Sequence, residues 1–390
     1  MKRIAIITTH PIQNHSPWFR HMAQDKRIEL KVFYTLGKHQ EGYLERDFGV
    51  RVHWNEHDLK GYSYEFLQNE ARNPDSLSFW GIQVPHLYQK IIAFHPDVVL
   101  IFLWKPYSHL KLMMQLKGKV PIWFRGDSTA QSNQNNLFQS LFRYPLLKWV
   151  YAHVDGVFSP GKASDAYFKR CGITDSKIIR AVHAVDNSRF LEFSADQESE
   201  LHHLRTQLGL TSSDWVYLFA GKFIEIKNIG LLLKAFQEIT SQQPDARLLL
   251  LGSGPQEQAL KSQVTQMQLT DKVLFIPHMP QEKMPMVYRL AKVFVLPSKT
   301  ETWGLSINES LACGVPVIAS NGCGAVGDLL VHRSNGLVFK SGDFQDLILQ
   351  MNDVRNSELY RSIQEHAQSS VQTYGITHLS DSVVNQLLSL

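Results

Sequence analysis

Residues 293–336 read VFVLPSKTETWGLSINESLACGVPVIASNGCGAVGDLLVHRSNG. Val293–Leu296 is continuously apolar and ends on Pro297-Ser298, the pattern of a short strand buried on both faces. A polar turn carrying Glu301 follows, and the spacing predicts a helix from near Gly304 that carries Glu309. Val315–Ala319 is a second apolar run. Strand, turn, helix and strand in this order build parallel sheet, and such sheets bind ligands beyond the carboxyl ends of their strands. The turn holding Glu301 is one of those ends.

The same alternation extends in both directions. In the second half it predicts strands over Trp215–Ala220, Leu248–Gly252, Val273–Ile276, Val293–Leu296, Val315–Ala319 and Leu337–Phe339. Helical patterns lie between them over Ile229–Ile239, Glu257–Met267 and Met284–Ala291. In the first half, strands are expected over Arg3–Thr8, Glu29–Tyr34, Val98–Phe102, Val120–Phe124 and Gly156–Ser159. Helices are expected there over Pro17–Ala23, Leu87–Phe94, Leu110–Leu116, Leu137–Val150 and Asp165–Cys171. Ser16-Pro17 reads as a helix cap followed by proline at the first helical position. Residues 192–213 are polar and strandless, which suits an interdomain connection with a short surface helix. A chain of 390 residues exceeds one hydrophobic core. The expectation is therefore α/β, with two doubly wound domains over 1–192 and 193–374 and a last helix, about 375–390, returning to the first.

The helix start near Gly304 gives the chemistry. The amides of Trp303, Gly304 and Leu305 lack acceptors within the first turn and suit a diphosphate, which Gly304 lets approach closely. Glu309, about one and a half turns in, is placed to accept hydrogen bonds from a diol such as a ribose, and Glu301 from sugar hydroxyls. Two glutamates at this spacing would alone be an ordinary surface pair; the surrounding strand–turn–helix–strand order makes them site candidates. Lys222 and Lys227 flank the turn after Trp215–Ala220. Loop lysines are usually only solvated, yet two cations there can neutralise a diphosphate leaving group.

Pro297-Ser298, Glu301, Trp303-Gly304-Leu305, Glu309 and Ala312-Cys313-Gly314-Val315-Pro316-Val317-Ile318 closely resemble, in order, the second domain of family-4 retaining glycosyltransferases. The resemblance implies the GT-B fold, two Rossmann-like domains facing across a cleft, with the acceptor on the first and a nucleotide-sugar on the second. It implies catalytic roles for Glu301, Lys222 and Lys227. It implies donor binding by Glu309, Trp303, Gly304, Leu305, His278 and Met279. Lys222 replaces the family's arginine, keeping the charge and losing the fork. Leu250–Pro255 resembles a family turn, and Pro255 and Glu257 stand where a dinucleotide fingerprint wants its third glycine. Ile276–Pro280 resembles the loop that packs on the nucleotide base, although His278 reads equally well as a surface histidine. Gly322–Val326 resembles the loop near the donor sugar. Ser159–Lys162 and Ala184–Phe190 resemble the interdomain crossover.

The first half resembles the family in patches. Thr9–His15 is similar to a subset among surface-polysaccharide enzymes, without the Gly-Gly loop many members carry. His10 and Gln13 are assigned to sugar or acceptor contacts, and His10 and His15, whose spacing is poor for a metal, read as sugar contacts and not as ligands. Arg125-Gly126-Asp127-Ser128 stands where many relatives place a histidine. Arg125 and Asp127 either contact donor or acceptor or form a turn pair.

Composition bounds these readings. Hydrophobic residues at 44% and charged residues at 19% exclude disorder, and a net charge of +4 does not resemble a nucleic-acid footprint. Ile4–Ile7 is too short for a secretory segment, and no run approaches the ~20 apolar residues of a membrane span. Three scattered cysteines form no metal-spaced pair and suit a reducing cytoplasm. Leu137–Val150 reads as core packing before a helix at the inner membrane surface. No Asp-x-Asp triplet occurs, so no metal and no cofactor is expected.

The expected reaction is transfer of a sugar from a nucleotide-diphosphate donor to a hydroxyl of a glycan or lipid-linked acceptor, with retention, in glycan or surface polysaccharide biosynthesis. An epimerase of the same fold, consuming donor without acceptor, and a silent nucleotide-sugar-binding scaffold are the alternatives.

Overall fold

The computed structural model describes residues 1–37, 43–45, 50–52, 59–129, 137–277 and 279–390. Its strands are β1 Lys2–Thr8, β2 Ile28–Tyr34, β3 Tyr43–Glu45, β4 Val50–Val52, β5 Ser63–Phe66, β6 Val98–Phe102, β7 Ile122–Arg125, β8 Gly156–Ser159 and β9 Ile178–Arg180. They continue with β10 Trp215–Ala220, β11 Ala246–Leu251, β12 Val273–Ile276, β13 Val293–Leu296, β14 Val317–Ser320 and β15 Gly336–Phe339. Two parallel sheets result, ordered β5-β2-β1-β6-β7-β8-β9 and β12-β11-β10-β13-β14-β15, while β3 and β4 pair separately. Central strands are apolar throughout: Ile4–Ile7 and Val98–Ile101 are fully buried, as are Val216–Phe219 and Val293–Val295. Burial on both faces, under helices on each side, is what selects such uninterrupted runs.

Both sheets reverse direction once. The chain lays β2 on one side of β1 and later places β6 on the other; β10 has β11 and β13 in the same relation. At such a reversal the loops leaving adjacent strands diverge and open a crevice. In the second sheet these loops carry Lys222 and Lys227 after β10, and Glu301 after β13. In the first sheet the loop after β1 carries His10.

Contacts divide the described chain into two compact units: Met1–Tyr43, Arg51–His183 and Ile376–Leu390 in one, Leu44–Val50 and Ala184–Gly375 in the other. The polar helix Ala195–Gln207 buries no residue and is held at its start by a Ser194–Gln197 capping box. The helix Ile376–Leu388 packs against Ser16–Ala23 and buries Leu379, Val383, Val384 and Leu387 along one stripe.

Some local expectations need correction. Ser16 is the first helical residue, not the cap, and donates to the Ile12 carbonyl at 3.5 Å, while His15 occupies the cap position. The first sheet has seven strands where the pattern suggested five. β5 is a half-exposed edge, Ser-Tyr-Glu-Phe, and β9 spans only three residues, so neither carries the buried apolar signature. In the helix Leu137–Tyr151, Leu147, Val150 and Tyr151 are buried while Leu146 and Trp149 are exposed. No helix among the described residues is long and apolar enough to cross a membrane.

Leu387→Ala removes a fully buried side chain from the seam between the terminal helix and Ser16–Ala23. A loss of about 2–5 kcal/mol is expected in urea denaturation; a loss below ~0.5 kcal/mol would show that this seam does not stabilise the unit.

Candidate functional site

The loop from Pro297 to Gly304 has no regular structure, so its main chain is held from neighbouring loops. Lys299 N–H donates to the Ile226 carbonyl at 2.7 Å, and Glu301 N–H to the Gly322 carbonyl at 3.0 Å. In return Gly324 N–H donates to the Glu301 carbonyl and Ala325 N–H to the Trp303 carbonyl, each at 3.0 Å. Ser320 Oγ reaches the Ser298 carbonyl at 2.5 Å, and Ser341 Oγ reaches that of Lys299 at 2.9 Å. The approach is so close that a Cβ on Gly324 would stand 2.0 Å from the Thr302 carbonyl oxygen. Gly322–Val326, the segment expected beside a donor sugar, thus clasps the Glu301 loop.

Lys227 ends the short turn of helix Glu225–Lys227 after β10, and its ammonium forms an ion pair with Glu301. Both side chains are about four-fifths buried. Lys299 pairs with Glu225 at 2.8 Å, a second tie between the same two loops. Lys222 lies on the same β10 loop, half-buried; Phe223 N–H donates to the Ser253 carbonyl at 2.8 Å and Gln256 N–H to that of Phe223 at 3.0 Å. The Leu250–Pro255 turn therefore fixes the path of the Lys222 loop.

Gly304 caps the helix Leu305–Ala312 in the left-handed region, φ 97°, where a side chain would be strained. Trp303 turns its indole into the core, where Nε1 donates to Asn308 Oδ1 at 2.8 Å. That leaves the helix start lined by main chain, with Leu305 half-buried beside it. Glu309 accepts a hydrogen bond from Tyr288 Oη at 2.7 Å. Burial pushes its carboxyl up to about 7, against the Tyr288 hydrogen bond and the field of Arg189. Part of the side chain still meets solvent. Met279 packs against the core of this unit beyond β12, and His278 lies outside the described residues.

The first-half candidates form a second group. His10 follows β1 and its Nδ1 is 3.0 Å from Thr9 Oγ1; Gln13 is exposed on the following turn. Arg125 ends β7, is buried, and donates to the Ala181 and Val182 carbonyls. Asp127 approaches His183, its Oδ2 4.0 Å from Nε2, and forms no turn pair with Arg125.

Sequence reasoning missed Tyr288, Arg189 and His183 as site members. Tyr288 sits in an apolar helix where its pattern says core, and it is fully buried there. His183 is an isolated histidine with no motif around it. Their placement depends on pairings that only the folded chain shows. Among the described residues no group of three or more His, Cys, Asp or Glu side chains is placed to hold a metal ion.

Residues 202–370 match the family model for glycosyl transferases group 1. An uncharacterized glycosyltransferase of Haemophilus influenzae is 29% identical over 160 residues, 41% of this chain and 45% of that protein. The N-acetyl-alpha-D-glucosaminyl L-malate synthase of Bacillus anthracis is 26% identical over 221 residues, 52% of this chain and 56% of its own. The chain thus spans about half the length of the curated relatives it matches. A structure of Anabaena HepE in complex with UDP and glucose superposes with TM-score 0.74 at 18% identity, covering 100% of both chains. The fold is GT-B.

Gly324→Ala tests the clasp. The added methyl has to displace the Thr302 carbonyl, and overpacking of this kind costs about 1–3 kcal/mol. Calorimetry should show the lowered Tm; an unchanged Tm would mean that the two loops are not held together in solution.

Proposed function

We propose that the chain is a glycosyltransferase that moves a sugar from a nucleotide-diphosphate donor to an acceptor hydroxyl, with retention and without a metal, in glycan or glycolipid synthesis at a cytoplasmic site. The observation that carries this reading is the Lys227–Glu301 pair beside the start of the helix that bears Glu309. The family match and the UDP held by HepE support it.

The residues divide the work by charge. Lys222, Lys227 and the helix-start amides take the diphosphate and neutralise it as its bond to the sugar breaks. A diphosphate that draws Lys227 away releases a Glu301 carboxylate oxygen for a sugar hydroxyl, so donor binding exchanges one ion pair for two new contacts. Glu309 takes the ribose diol, and Met279 with His278 borders the base. The acceptor lies on the N-terminal unit, near His10, Gln13, Arg125 and Asp127.

A thermal-shift screen against UDP, GDP, ADP and CDP and their sugars, with EDTA present, tests the donor site. One nucleotide at about 100-fold over Kd should contribute ~2.7 kcal/mol, a rise of roughly 5–10 °C. Glu309→Ala and Lys227→Ala should abolish the response. A folded protein that answers to none of them sinks the reading, and donor consumed without acceptor would mark an epimerase.

Glu309 also sets a pH dependence. Ionised, it accepts from both hydroxyls of a diol; protonated, it loses part of that capacity. Donor affinity should therefore be weakest below pH 7, rise as the pH passes 7 and level off above it. Titration calorimetry of Glu309→Gln should show a flat profile; a wild-type profile without this rise removes Glu309 from the diol contact.

A further inference from the structure

Arg125 is 6% exposed, and its guanidinium is oriented on three sides. It donates to the carbonyls of Ala181 and Val182, the second at 3.3 Å, and lies 5.7 Å from the centroid of the Trp18 ring. Two carbonyls aim the fork without neutralising it. Among the described residues no carboxylate stands within ion-pair distance of it; Asp127, whose field it feels, is half-exposed and lies nearest His183. Burial draws the guanidinium down to about 10, against the field of Asp127.

Two imidazoles from separate elements feel the field of this cation, His15 at the start of Ser16–Ala23 and His183 in the segment after β9, and His10 on the turn after β1 acts on His15. Nδ1 of His15 is buried and has no hydrogen-bond partner. His15 also contacts Phe102, with ring centroids 5.0 Å apart, and Trp18 and Phe19 extend the aromatic floor. Burial and the field of Arg125 hold His15 down to about 3 and His183 well below its ordinary range, so both are neutral at pH 7. Neutral imidazoles can donate N–H to an anion without adding repulsion to the guanidinium. A metal ion is the wrong occupant, because Arg125 repels it. Arg125 is the last residue of β7, and Ala181 and Val182 directly follow β9, at the carboxyl edge of the first sheet where its loops face ligand.

We propose that Arg125 and His15, with His183 beside them, form a subsite for one anionic group, a phosphate monoester or a carboxylate, carried by the acceptor. The guanidinium fork matches either anion in bidentate geometry, and the aromatic floor, poor in water, strengthens the pairing. Assigning the anion to the acceptor rests on the transferase reading; the anion site itself does not.

The test uses the full chain at low ionic strength, titrated with inorganic phosphate and separately with acetate by calorimetry. Saturable binding at one site is expected, and the tighter probe identifies the anion class. Arg125→Gln should weaken it at least tenfold, and Arg125→Lys, which keeps a charge but loses the fork, severalfold. His15→Asn should weaken it severalfold as well. Stabilisation by the donor nucleotide should persist in each variant and certifies folding; where Arg125→Gln loses it, Arg125→Lys decides. Wild-type protein that binds neither probe at tens of millimolar, or phosphate binding unchanged in Arg125→Lys, overturns the proposal. Displacement of bound phosphate by UDP would overturn the assignment to the acceptor, since the cluster would then serve the donor. Phosphate binding without any nucleotide response would leave the anion site standing and remove the transferase reading alone.

Discussion

The second unit depends on how a loop without regular structure keeps its main chain satisfied. Eight residues after β13 must present a glutamate, a lysine and a helix start at the sheet edge, and buried amides and carbonyls cannot be left unpaired there. The solution is main chain against main chain. Gly322 and Gly324 bring their backbone within hydrogen-bond reach of Glu301 and Trp303, and the β10 loop does the same at Lys299. Side chains are thereby released from structural duty. Among the described residues the Lys227 and Glu301 side chains pair with each other, over main chain held by those hydrogen bonds.

The two candidate groups balance charge in opposite ways. In the second unit two loop lysines have anions, Lys227 with Glu301 and Lys299 with Glu225. A ligand there competes with pairs that already exist, which sharpens selection for a group able to outbid a carboxylate. In the first unit Arg125 is buried against carbonyls, with no acid in contact among the described residues. Burying a cation without a partner is costly, and folds retain that arrangement where something else supplies the missing charge.

The fold was largely legible because parallel strands buried on both faces leave uninterrupted apolar runs, and Val98–Phe102, Gly156–Ser159, Val273–Ile276 and Val293–Leu296 each appear as a strand of those bounds. What escaped was the edge. Ser63–Phe66 and Ile178–Arg180 are short and partly exposed, so hydrophobic pattern says little about them. The candidate site was legible where its residues are close in sequence, as with Glu301, Gly304 and Glu309. It was opaque where residues converge from distant segments. Tyr288 meets Glu309 from another helix, and His183 reaches Asp127 across more than fifty positions, which no local spacing announces.

The terminal helix has a consequence for how the chain comes to be folded during synthesis. Ile376–Leu388 covers Ser16–Ala23, so the unit begun by β1 is completed only after Ala184–Gly375 has been made. The emerging first half waits with the face of Ser16–Ala23 uncovered while Ala184–Gly375 is translated. Domains usually complete themselves in the order they leave the ribosome; here the later-made unit can close first. A truncation just before Ile376 would leave the second core intact and the first uncovered at Ser16–Ala23.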